Sequence, residues 1–250
     1  MHRVSHTHLR QLLWVPLVCA VLASVLINLS NLDLNFSARV FDFETRSWYG
    51  QDSEICKWVY ANGPKAALLL GVSGLFIFIL SWRNRPRNAT PRATYLALCV
   101  IVGPGLLVNA TFKDNFGRPR PRDTIAFGGS DQFLPVGEIG PLAHRKSFPS
   151  GHASMGFVLA APALFFGPRR RRIFYAWVCL GVASGIGIGL VRIAQGGHWF
   201  SDVLWSAVFV YYAMLAAGLL TKQILPIPDP YRPFSSPNYS RLPSSPSALS

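Results

Sequence analysis

Six apolar runs, most of them long enough to cross a bilayer as a helix, constrain this chain more than any other feature. They cover residues 12–29, 64–82, 94–111, 152–166, 173–191 and 202–221, the fourth being the shortest. About 30 Å of hydrocarbon takes roughly 20 helical residues. Lipid offers no partners to a bare backbone, so such runs are read as helices rather than open strands. The expectation is an all-α, polytopic membrane protein with six transmembrane helices. The first run follows a basic start with Arg3 and Arg10, which is also the shape of a cleaved signal. Its length and the five runs behind it favour an uncleaved first helix.

Only 14% of the 250 residues are charged, which excludes an ordinary soluble domain. The charge is also lopsided, at +13. Arg83, Arg85, Arg87 and Arg92 lie between the second and third runs, and Arg169, Arg170, Arg171 and Arg172 between the fourth and fifth. In a six-span chain these loops share one side with both termini. The positive-inside rule makes that side the cytoplasm, so the arginine run is read as a topology signal and no nucleic-acid partner is expected. The four cysteines form no disulfide framework and no zinc spacing.

Residues 31–63, on the exported side, mix acids with Trp48, Tyr49, Trp58 and Tyr60, and are read as one or two short interfacial helices. The long connection 112–151 is too rich in Gly and Pro for a continuous helix. Residues 1–221 are read as one integral membrane domain with a motif-bearing core at 112–202. Residues 222–250, rich in Pro and Ser, are read as a disordered cytoplasmic tail.

Polar residues at the ends of membrane helices are functional candidates. Three clusters qualify, and the topology puts all three on the exported side: "KDNFGRPRP" with Lys113 and Arg120, "PSGH" with Ser150, Gly151 and His152, and "VRIAQGGHWFSD" with Arg192, His198 and Asp202. Three fixed cations without matching acids suit a dianion, and guanidinium groups fork onto phosphate oxygens. Backbone amides at Ser150 and Gly151, opening a helix, add anion donors. If the sixth helix begins by Gly197, His198 and Asp202 share a helical face. The carboxylate then fixes the ring tautomer, leaving the other nitrogen free to attack. His152 arrives from another helix as a general acid. Arg118, Arg122, Arg145 and Lys146 are further candidates for contacting a large anionic headgroup. Each residue also has a bland role: Ser150 as a helix cap, Lys113 or Arg120 as a snorkelling charge, His198 with Asp202 as a structural pair.

Lys113, six residues, Arg120-Pro121, then Pro149-Ser150-Gly151-His152, then Arg192, five residues, His198, three residues, Asp202 resembles the three-part signature of the type 2 phosphatidic acid phosphatase superfamily. That resemblance implies His198 as the nucleophile that forms a phosphohistidine, Asp202 as its orienter, and His152 as the acid that later activates water. It implies Lys113, Arg120, Ser150, Gly151 and Arg192 as phosphoryl ligands, with no metal or cofactor required. Val191 replaces the serine that usually opens the third motif, which removes one hydroxyl contact. Within the superfamily, "GRPRPRDTIAFGG" with "SFPSGHASMGF" is similar to bacterial lipid A phosphatases.

The function expected is therefore a membrane lipid phosphatase at the periplasmic face of a bacterial inner membrane, with lipid A as the best guess for substrate. Undecaprenyl pyrophosphate and phosphatidylglycerophosphate are alternatives of the same chemistry. A non-catalytic lipid binder or transporter using the same cationic pocket is the alternative of another class.

Overall fold

The computed structural model describes residues 2–84, 90–141, 145–166 and 170–226. Arg85, Arg87, Arg169 and the expected tail beyond 226 lie outside the described residues. Those described are overwhelmingly helical, as the apolar runs demand. His6–Leu29 starts at Ser5, whose hydroxyl accepts from the His8 N–H at 3.2 Å. Glu54–Asn84 follows, a single helix of 31 residues that contains the second apolar run. Pro91–Asn115 comes next, with a wider π-type winding over Ile101–Phe112. Pro104 lies within that stretch and cannot donate to the ladder, so regular α winding is lost around it. Gly151–Phe165 carries the fourth run and tightens to 3-10 winding over Val158–Phe165, where Pro162 sits. Arg171–Ala194 and Phe200–Leu220 complete the set.

Among the described residues, four of these helices are long and apolar enough to cross a membrane: His6–Leu29, Pro91–Asn115, Arg171–Ala194 and Phe200–Leu220. Gly151–Phe165 is a shorter apolar helix. Outward-facing side chains on the bundle include Trp14, Leu22, Leu26, Leu69, Phe76, Val182 and Ile186. A surface this apolar over several helices suits hydrocarbon rather than water.

Small residues set the helix spacing. Gly181, Gly185 and Gly189, four apart on Arg171–Ala194, bring that helix against Ala160, Phe157 and Val203, leaving no room for a Cβ. This small-xxx-small packing holds the end of Arg171–Ala194 beside the start of Gly151–Phe165. Tyr95, Ala153, Phe157, Val158, Ile193 and Val210 fill the core between them.

At one end of the bundle, His2–Val4 pairs in parallel with Ile224–Pro226. The first residues of the expected tail are therefore a strand. At the other end, the segment expected to hold interfacial helices supplies one short helix, Leu32–Ala38, and a small hairpin of Phe41–Asp42 with Ser47–Trp48. Phe41, Trp48, Phe127 and Trp199 make an aromatic cluster that ties this segment to the connection after Pro91–Asn115 and to the start of the last helix. The connection itself is pinned at both flanks. Asn28 exchanges two hydrogen bonds with the Val136 backbone, and the Arg122 N–H donates to Gly196 O at 3.1 Å.

Candidate functional site

The third cluster takes its shape from two glycines. Arg171–Ala194 ends where Gly196, at φ +62°, turns the chain left-handed and its N–H closes on Ile193 O at 2.8 Å. A side chain at Gly196 would strike the Trp48 ring, and one at Gly197 would strike the Arg192 guanidinium. His198 follows, but the last helix begins only at Phe200, with Trp199 as its N-cap. The expectation that His198 and Asp202 share a helical face is corrected accordingly. The Asp202 carboxylate accepts the Trp199 N–H at 2.9 Å, closing the helix start as an acid at N3 does. The His198 ring meets it from outside the helix, with Nδ1 3.5 Å from Oδ2. That separation is long for a hydrogen bond, and Nδ1 is buried without a hydrogen-bond partner.

Asp202 is wholly buried and crowded with donors. Its Oδ1 accepts from Arg118 Nη1 at 2.7 Å and its Oδ2 from Ser147 Oγ at 2.5 Å, beside the Trp199 amide. Burial pushes the His198 imidazole down to about 4; Asp202 opposes this, and Arg192 and Lys113 reinforce it. The ring is neutral at neutral pH.

The second cluster is locked to the third. Ser150 caps Gly151–Phe165, its hydroxyl accepting the Ala153 N–H at 3.4 Å, while its own N–H donates to Asp202 O at 3.3 Å. At Gly151 an added Cβ would stand 2.7 Å from Asn109 Oδ1. Asn109 also lies 3.5 Å from Lys113 Nζ, so it joins the first cluster to the second. His152 stacks on Tyr60, with centroids 4.5 Å apart and planes at 18°. The Arg192 guanidinium carbon lies 4.6 Å from the centre of the same Tyr60 ring. Tyr60, Asn109, Ser147 and Asp33 were not singled out as partners of this site by their sequence, and Arg118 was expected only at a headgroup. Each touches it through a contact between distant segments, which no local spacing reveals.

Lys113, Arg120 and Arg192 converge with both histidines: the fields of Arg192, His198, Lys113 and Arg120 all act on His152. Among the described residues no carboxylate lies within ion-pair distance of these three cations. Arg120 Nε and Arg192 Nε are buried without a hydrogen-bond partner. Burial, with Arg122 next, holds the Arg120 guanidinium below its usual range. All eight residues expected from the three clusters thus stand at one end of the bundle. The four further headgroup candidates fare differently. Arg118 is fully buried against Asp33 and Asp202, which removes it from any headgroup. Arg145 pairs with Asp131, Lys146 with Asp114, and Arg122 lies 3.8 Å from Asp123.

Fold and site together define a polytopic helical membrane protein with three cations lacking carboxylate partners among the described residues, two histidines and a buried aspartate gathered at one end. The PAP2 superfamily profile matches residues 92–225. The chain belongs to that superfamily. It is 43% identical over 136 residues to a lipid A 4′-phosphatase of Francisella tularensis subsp. novicida, covering 54% of this chain and 59% of that protein. It is 38% identical over 122 residues to a lipid A 4′-phosphatase of Rhizobium etli, covering 47% and 46% respectively. A lipid A 1-phosphatase of the same organism is 35% identical over 130 residues, covering 49% and 50%. The chain spans about half the length of the curated relatives it matches. No solved structure matches it.

Proposed function

We propose that this protein is a membrane-embedded phosphatase that removes a phosphate from a lipid headgroup, with lipid A as the substrate. One observation carries the proposal: Arg120 and Arg192 each hold a buried Nε donor without a partner, and Arg192 and Lys113 act on a neutral, buried His198 backed by Asp202. A phosphate dianion would satisfy those donors and lie against the ring.

In this mechanism Asp202 keeps a proton on His198 Nδ1, and the lone pair of Nε2 attacks phosphorus. The phosphorus–oxygen ester bond breaks as a phosphohistidine forms, and His152 gives its proton to the departing lipid oxygen. Neutral His152 then takes a proton from water, whose oxygen attacks phosphorus and frees His198 with release of inorganic phosphate. Lys113, Arg120, Arg192 and the amides at Ser150 and Gly151 hold the phosphoryl oxygens.

The lipid A phosphatase names of the relatives support the substrate class. Placement in a bacterial inner membrane, with both termini cytoplasmic and the site periplasmic, is supported by the arginine-rich loops. The pairing of His2–Val4 with Ile224–Pro226 supports an even number of crossings.

The test is inorganic phosphate release from purified lipid A by the detergent-solubilised protein. Mass spectrometry of the product identifies whether the 1- or the 4′-phosphate leaves. The expected result is turnover in the parent, less than about 0.1% of it in His198→Ala, and a phosphohistidine trapped by alkaline quench of the parent during turnover of phosphorus-labelled lipid and absent from His198→Ala. Lipid A binding without phosphate release from any lipid, undecaprenyl pyrophosphate and phosphatidylglycerophosphate included, would instead identify a binder or transporter.

A further inference from the structure

Arg118, the first arginine of "RPRPR", contributes nothing to the cradle, yet it is completely buried and each of its three side-chain nitrogens donates. Its Nε donates to Leu134 O at 2.9 Å, its Nη1 to Ser201 Oγ and Asp202 Oδ1 at 2.7 Å each, and its Nη2 to Asp33 Oδ2 at 2.8 Å. Asp33, on Leu32–Ala38, is only 1% exposed and also accepts the Ser201 N–H at 2.9 Å. It lies outside the stretch 92–225 that matches the superfamily.

A satisfied buried ion triad is weak evidence for stability by itself. Its charge is the informative part. Arg118 with Asp202 alone is a neutral pair, and a neutral pair does little for a ring that becomes cationic as its nitrogen bonds to phosphorus. With Asp33 the group carries one net negative charge behind His198. The charged groups acting on His198 from its other sides are Arg192 and Lys113, with His152 also close by, so nothing else supplies that charge.

We propose that Asp33 is a positioning residue for His198: it offsets the Arg118 charge, so that Asp202 faces the imidazole with its own charge uncancelled. This rests on His198 being the nucleophile. Its signature is non-additive. Asp33→Asn leaves the group neutral, Arg118→Gln leaves it doubly negative, and the double variant restores one negative charge, carried by Asp202 alone among its Ser147 and Trp199 donors.

The experiment compares parent, both single variants and the double variant, solubilised in detergent, by two readouts. The first is kcat for phosphate release from lipid A. The second is the His198 titration followed by ¹⁵N-histidine NMR, which does not depend on turnover. Asp33→Asn is expected to lower kcat roughly 10- to 100-fold with KM little changed, the size of one charge acting over several ångströms at an effective dielectric of about 20. The double variant is expected to exceed Asp33→Asn by about tenfold. The His198 titration is expected to move down in Asp33→Asn, up in Arg118→Gln and back toward the parent in the double variant. If Arg118→Gln does not fold, Asp33→Asn against the double variant decides. A double variant no better than Asp33→Asn, or an unmoved His198 titration, overturns the proposal. A parent that releases no phosphate while its His198 titration shifts in the stated order removes the phosphatase reading and supports the role of Asp33.

Discussion

Replacing Tyr60 by alanine removes one ring that touches two members of the site at once. His152 stacks on it at 4.5 Å and 18°, and the Arg192 guanidinium lies 4.6 Å from its centre. An aromatic contact of this kind is worth about 0.5–1.5 kcal/mol. A cation on a ring face contributes about 0.5–1 kcal/mol at an exposed site and about 2 when desolvated. Tyr60 is 44% exposed, so the lower part of each range applies and the sum is about 1–2 kcal/mol. At about 1.4 kcal/mol per factor of ten, that predicts a loss of roughly 5- to 30-fold in kcat/KM for Tyr60→Ala. Tyr60→Phe keeps both ring contacts and should stay within about twofold of the parent. The assay is steady-state phosphate release from lipid A in detergent, with circular dichroism to show that each variant remains folded. Two results would refute the reasoning: Tyr60→Ala within about twofold of the parent, or Tyr60→Phe as damaged as Tyr60→Ala. The second would move the effect from the ring to the hydroxyl.

Three further outcomes are expected. Gly197→Ala drives a methyl into the Arg192 guanidinium and should weaken phosphate binding, read as a vanadate inhibition constant raised about tenfold or more; an unchanged constant would show that Arg192 can yield. In the proposed mechanism His198 attacks only when neutral, and burial lowers its free ring to about 4, so its acid limb in kcat/KM should appear near that pH rather than near 6.5. With the substrate's own ionisation corrected for, a limb at 6.5 assigned to His198 by ¹⁵N-histidine NMR would contradict the burial argument. Gly185→Val pushes into the Phe157 ring and should cost about 1–3 kcal/mol, seen as a lower thermal midpoint in detergent with the midpoint of Gly187→Ala, where a Cβ meets nothing, barely changed.

The helical scaffold and the eight clustered residues could be read from the chain because both obey short-range rules. Apolar length requires helices in lipid. Lys113-to-Arg120, Pro149-to-His152 and Arg192-to-Asp202 are each local strings whose spacing survives without a structure. The start of the last helix was misjudged because Asp202 does two things at once, lying 3.5 Å from His198 Nδ1 and closing the Trp199 turn. That second duty requires the helix to begin after His198. Arg118 was misassigned for a related reason: its sequence neighbourhood is as basic as that of Arg120, and only the approach of Leu32–Ala38 distinguishes them. Tyr60 looked like a headgroup-level aromatic, and its exposure is consistent with that, but its ring contacts depend on two segments more than ninety residues downstream.

The arrangement of acids explains why the cradle suits an anion better than any single contact does. Among the basic residues of 113–146 together with Arg192, two sets appear. Arg118, Arg122, Arg145 and Lys146 each have a carboxylate within ion-pair distance, whereas Lys113, Arg120 and Arg192 have none among the described residues. The three unpaired cations repel one another, and burial of Arg120 and Arg192 deprives them of much of the water that would screen them. On the proposed function, an arriving dianion would relieve that repulsion and fill the empty donors, the kind of electrostatic preorganisation that stabilises charge developing at a phosphoryl group. An acid introduced among the three would fold more comfortably and bind phosphate less well. The absence of a carboxylate there is therefore as much a part of the site as the histidines.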